Sequence, residues 1–71
     1  MAEEIKASMA GNVWKIQVKE GDTVENGQDM VILESMKMEI PIAAEGDGLV
    51  TEVVVNEGDF VNEGDVLIRI D

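Results

Sequence analysis

The sequence predicts an all-β domain, and three observations carry that prediction. Ten valines and seven isoleucines make 17 of the 71 residues, and their branched side chains suit a pleated, half-buried surface. Seven glycines, at 11, 21, 27, 46, 48, 58 and 64, are spread along the chain as turn punctuation. The third observation is an internal repeat. Sliding the chain by 37 positions sets Gly11, Val13, Val18, Glu20, Gly21, Asp22, Val24 and Gly27 on Gly48, Val50, Val55, Glu57, Gly58, Asp59, Val61 and Gly64. Met30/Leu67, Val31/Ile68 and Leu33/Ile70 are close substitutions, and Ile5/Ile42 extends the match toward the start. Two related halves follow, 1–34 and 38–71, joined by residues 35–37. A pseudo-two-fold relation puts that seam at one end and the termini, Met1 and Asp71, near the other.

Each half reads as a set of short strands. Val13, Lys15 and Gln17 alternate with Trp14, Ile16 and Val18, the pattern of a half-buried strand. Glu20-Gly21-Asp22 then turns the chain, with Gly21 free to take a positive φ. Asn26-Gly27 is a strong turn dipeptide. Met30-Val31-Ile32-Leu33 is a short apolar run that fits a buried strand. In the second half Glu57-Gly58-Asp59 and Glu63-Gly64 repeat the turns, and Val66-Leu67-Ile68 repeats the apolar run. Val24, Phe60 and Val61 fall inside the turn regions and are expected to plug the ends of the core. The rival local reading is a helix over 28–40, which is rich in good helix formers and free of Gly. Its counterpart over 65–71 has strand composition, and Pro41 biases Ile40 away from helical angles. Strand–turn–strand is therefore expected there.

Composition excludes several functions. A chain this short has little core from which to build a deep enzyme pocket. The formal net charge of −11 repels a phosphate backbone and an anionic membrane surface, so neither nucleic acid nor membrane is an expected partner. No apolar run approaches the ~20 residues of a membrane span. Met1-Ala2-Glu3-Glu4 does not resemble the start of a secretory signal, and a cytoplasmic location is expected. The 45% apolar content argues against disorder. There is no Cys and no His, which removes thiolate sites, the commonest zinc ligand and the usual general base near neutral pH. No catalytic residue and no metal site are therefore assigned. With one Phe, one Trp and no Tyr, the core must be aliphatic, and there is no aromatic platform for bases. The acidic clusters at 57–59 and 62–65 lack the spacing of a calcium loop, and turns explain them in both halves.

The seam reads Glu34-Ser35-Met36-Lys37-Met38-Glu39. Lys37 falls at the tip of the expected hairpin, where its amine is open to modification. Two apolar Met neighbours are unusual on an exposed turn. A solvated turn lysine with both Met side chains packed inward is the plainer alternative, and spacing alone leaves both open.

This segment resembles the attachment motif of biotinyl domains, a small residue followed by Met-Lys-Met. The likeness extends through Met9-Ala10-Gly11, Val18-Lys19-Glu20-Gly21-Asp22, Gly27-Gln28, Gly46-Asp47-Gly48-Leu49-Val50 and Glu57-Gly58-Asp59-Phe60-Val61, over essentially the whole chain. The chain is thus similar to the biotinyl/lipoyl attachment family, and above all to its small free-standing bacterial members. Ser8 stands where many members have Pro. The stretch from Val18 to Met30 is too short for the protruding loop of enteric acetyl-CoA carboxylase carriers. The resemblance implies a single domain over 1–71. Its fold would be a flattened β-barrel (barrel-sandwich hybrid) of two four-stranded antiparallel sheets with pseudo-two-fold symmetry.

The resemblance also implies that Lys37 carries biotin covalently, with Met36 and Met38 as the flanking motif. The chain would then be a biotin carboxyl carrier, without catalytic activity, that shuttles carboxyl groups between a biotin carboxylase and a carboxyltransferase. A lysine amine attacks an activated acyl group only when neutral, and exposed lysines are almost wholly protonated near pH 7. A biotin protein ligase would have to supply activation and deprotonation. A lipoyl carrier, or a dual biotin/lipoyl acceptor, shares the fold. Lipoyl attachment turns usually read Asp-Lys-Ala, so Met36 and Met38 favour biotin over lipoate. From a different class, a purely structural interaction module would leave Lys37 unmodified.

Overall fold

Alternating branched residues and regularly spaced turns resolve into eight strands. They are β1 (Glu3–Lys6), β2 (Gly11–Ile16), β3 (Thr23–Val24), β4 (Asp29–Ser35), β5 (Met38–Ala43), β6 (Gly48–Val53), β7 (Phe60–Val61) and β8 (Val66–Ile70). The computed structural model describes residues 2–71; the expected position of Met1 falls outside them. Among the described residues there is no helix, and none long and apolar enough to cross a membrane.

The strands form two antiparallel four-stranded sheets, ordered β1-β8-β6-β3 and β5-β4-β2-β7. Moving 37 positions along the chain takes β1 to β5, β2 to β6, β3 to β7 and β4 to β8, and so turns one sheet order into the other. The hydrogen bonds between turns and strands repeat as well. Gly27 N–H donates to Ala44 O at 2.8 Å, and Gly64 N–H donates to Ala7 O at 2.9 Å. The expected pseudo-two-fold barrel is therefore the observed fold, and its extents of 33 × 19 × 18 Å make it elongated.

The core is aliphatic. Met30, Val31, Leu33, Leu67 and Ile68 are fully buried, with Val13 and Val50 nearly so. This explains why 28–40 is not a helix. Val31 and Leu33 point into the barrel at strand spacing, and Leu33 faces half-buried Ile40 across the β4–β5 ladder.

Two expectations need correction. The alternation over 13–18 breaks at Trp14. Val13 pairs with Leu33, but Lys15 pairs with Ile32, so Trp14 is an extra residue in β2. This bulge turns Trp14 and Lys15 both outward and brings Val18 back into the core. Its counterpart lies at Thr51 in β6. Phe60 is the second correction. Val24 and Val61 are buried as expected, but Phe60 is 63% exposed. It lies next to inward-facing Val61 in β7, so strand geometry sends it outward.

The acidic turn residues have internal work. Asp22, Asp59 and Asp65 accept the backbone N–H of Lys19, Asn56 and Asn62 at 2.8–2.9 Å. Gln28 does the same for Glu25. Each closes a tight turn, which accounts for Asp59 and Asp65, while Glu57 accepts the backbone N–H of Ile16 at 2.9 Å.

Candidate functional site

β4 and β5 form the hairpin that carries the seam. Their last pair is Ser35 with Met38, so the turn proper is Met36-Lys37 and Ser35 belongs to the strand. A two-residue hairpin loop that follows the twist of its strands places both residues at positive φ. Met36 has φ 52° and Lys37 φ 65°. Asn-Gly is the favoured pair for such a turn. For residues with a Cβ the left-handed region costs roughly 1–2 kcal/mol each, so this turn holds strain at the residue whose amine it presents.

Lys37 is exposed at the tip. Met36 is 90% exposed and Met38 59%, so neither thioether packs inward. The last fully buried residue of β4 is Leu33, and the chain beyond it projects past the core. Three side chains thus stand together in water, an amine between two soft apolar groups. The base of the hairpin is held closely, because a Cβ on Gly11 in β2 would lie 2.8 Å from the carbonyl oxygen of Glu34. The absence of a side chain lets β2 press against β4 just below the tip.

Register adds residues that sequence reasoning did not place at the site. Glu34 pairs with Glu39 and with Asn12, and Asn12 pairs with Phe60. The row Glu39–Glu34–Asn12–Phe60 therefore crosses the sheet just below the turn. All four are exposed. They are distant in sequence, and only the strand pairing brings them together. Chemically the tip offers an acyl-acceptor amine with open approach. Neither His nor Cys occurs in the chain, so no imidazole or thiolate stands beside the amine.

Comparison with known proteins places this hairpin in context. The family model described as "Biotin-requiring enzyme" matches residues 3–70. A biotin/lipoyl attachment protein of Bacillus subtilis is 61% identical over 66 residues, covering 93% of this chain and 90% of its own. A biotin carboxyl carrier protein of Streptococcus mutans is 45% identical, over 97% of this chain and 53% of its own. Among solved structures, the urea carboxylase of Kluyveromyces lactis superposes with a TM-score of 0.93 at 34% identity, over 100% of this chain and 6% of that one. A family match over nearly all residues, joined to relatives that span the same barrel, shows that the chain belongs to the biotin-requiring enzyme family.

Proposed function

We propose that this chain is a biotin carboxyl carrier: a cytoplasmic, non-catalytic domain over 1–71 that holds biotin covalently on Lys37, with Met36 and Met38 as its flanking contacts. Its halves, 1–34 and 38–71, build a rigid barrel whose task is to present the arm. One observation carries the reading: an exposed lysine in a strained two-residue turn, set between two exposed methionines, in a chain of this family. When bound, biotin supplies the ureido group that accepts and releases carboxylate. The chain contributes reach and confinement. Tethering holds the reactive group at effective concentrations on the order of mM near successive sites. The partners are a biotin protein ligase, a biotin carboxylase and a carboxyltransferase. Family relatives of this kind occur as parts of pyruvate and acyl-coenzyme A carboxylases.

The test is intact mass after co-expression with an active biotin ligase. One biotinyl addition at Lys37 is expected. An unmodified chain overturns the reading. The name of the Bacillus subtilis relative joins biotin and lipoate, which favours dual modification as the second reading. A lipoyl addition in the same spectrum would establish it.

A further inference from the structure

The two ends of a pseudo-two-fold barrel share a backbone shape, so any difference between them lies in side chains. At the Lys37 end, Phe60 lines a groove with Val54, Val55 and Val66, with Asp59 and Asp65 at its margin. Phe60 and Val54 are 63% and 40% exposed. Residues 37 positions earlier occupy the matching places at the other end, where Thr23 pairs with Leu49 and Leu49 exchanges hydrogen bonds with Asp71. There Thr23 replaces Phe60, Gln17 replaces Val54 and Asp29 replaces Val66. The tip end thus carries an apolar groove around Phe60, whereas the other end has polar residues at those three places beside a 41% exposed Leu49.

We infer that this groove is the docking site of the ligase that acylates Lys37, and that it receives an apolar side chain flanked by Lys or Arg. The inference rests on the reading that Lys37 is acylated. Three arguments select this occupant. The enzyme must choose Lys37 over Lys6, Lys15 and Lys19, which are also exposed. An exposed aromatic ring, Phe60 against Leu49 as the exposed apolar residue of the other end, distinguishes two ends of like shape. A standard interface covers about 800 Å² per partner, a patch roughly 28 Å across. Phe60 lies two strands from Glu34, about 10 Å across the sheet just below the turn, so an interface centred on the tip reaches it. Charge supplies the third argument. Asp59 and Asp65 line the groove, Glu57 and Glu63 sit on its bordering turns, and Lys6 stands opposite Val66. This acidic margin complements a basic partner and steers its approach.

The test measures biotinylation of the full apo chain by a biotin ligase with biotin and ATP. The double variant Phe60→Thr/Val54→Gln installs the residues that the same fold carries at its other end. Its kcat/KM is expected to fall at least tenfold, mainly through KM, with the melting temperature within a few degrees of wild type. Phe60→Lys alone sets like charge against the basic partner and is expected to lose at least as much. The mirror variant Thr23→Phe/Gln17→Val is expected to match wild type. Wild-type kcat/KM in both Phe60 variants overturns the inference. So does normal loading followed by slow carboxylation, which assigns the groove to the biotin carboxylase. A wild-type chain that takes no biotin overturns the functional reading itself.

Discussion

Gly21 and Gly58 make the same hydrogen bond in opposite halves: Gly21 N–H donates to Val50 O at 2.9 Å, and Gly58 N–H donates to Val13 O at 2.8 Å. Each turn of one half is thereby fastened to the long strand of the other. Their φ angles are +92° and +96°, and a Cβ at either would meet no atom within 4 Å. A side chain there faces backbone strain and no clash. Gly21→Val and Gly58→Val should each cost about 1–2 kcal/mol, equal within about 0.5 kcal/mol. Urea denaturation of both variants measures this. Clearly unequal losses would contradict the equivalence of the halves.

Lys37→Arg keeps the positive charge but removes a usable acyl acceptor. The variant should fold as wild type and take up no biotin. Intact mass and peptide mapping decide it, and label on Lys6, Lys15 or Lys19 would displace the assignment.

The methionines separate structure from function. Met36 and Met38 are exposed, whereas Met30 is fully buried. Replacing both tip residues by Ala should change stability by less than about 0.5 kcal/mol while slowing carboxyl transfer, because the soft surface beside the arm is lost. Met30→Ala should cost about 2–5 kcal/mol. Thermal melts together with transfer assays on the loaded chain compare the two.

The turn itself is strained where it presents Lys37. Asn tolerates the left-handed region better than Met. Met36→Asn should therefore stabilise the fold, by about 0.5–1 kcal/mol on denaturant titration. A destabilised variant would show that the Met36 conformation is not under strain.

On the sheet opposite the hairpin, Arg69 bridges Glu4 and Glu52, the latter at 3.0 Å. All three side chains are roughly half exposed, and water screens them. Arg69→Ala should cost less than about 1 kcal/mol, with the loss shrinking in high salt.

Much of this protein was legible before folding. The 37-residue repeat implied two equivalent halves, because identical spacing of Gly and Val demands equivalent turns and core positions. The Glu-Gly-Asp turns were readable because their chemistry is local, a glycine free to take positive φ; the Asp carboxylate that closes onto the N–H three residues back is seen only in the structure. The hairpin with its tip at 35–37 was readable from Pro41 and from the strand composition of its counterpart, and the strand register narrows the turn to Met36-Lys37. Tertiary structure alone decided the rest. Trp14 faces outward because a bulge shifts its register against β4, and alternation has meaning only relative to a partner strand. Phe60 reaches the Lys37 end because β7 pairs with β2 at Asn12. The groove it lines with Val54 and Val66 joins segments whose proximity is a property of the closed barrel. Local sequence specifies torsions and turn chemistry; which side chains share a face or an end depends on long-range pairing, which the whole core selects by burying its aliphatic side chains.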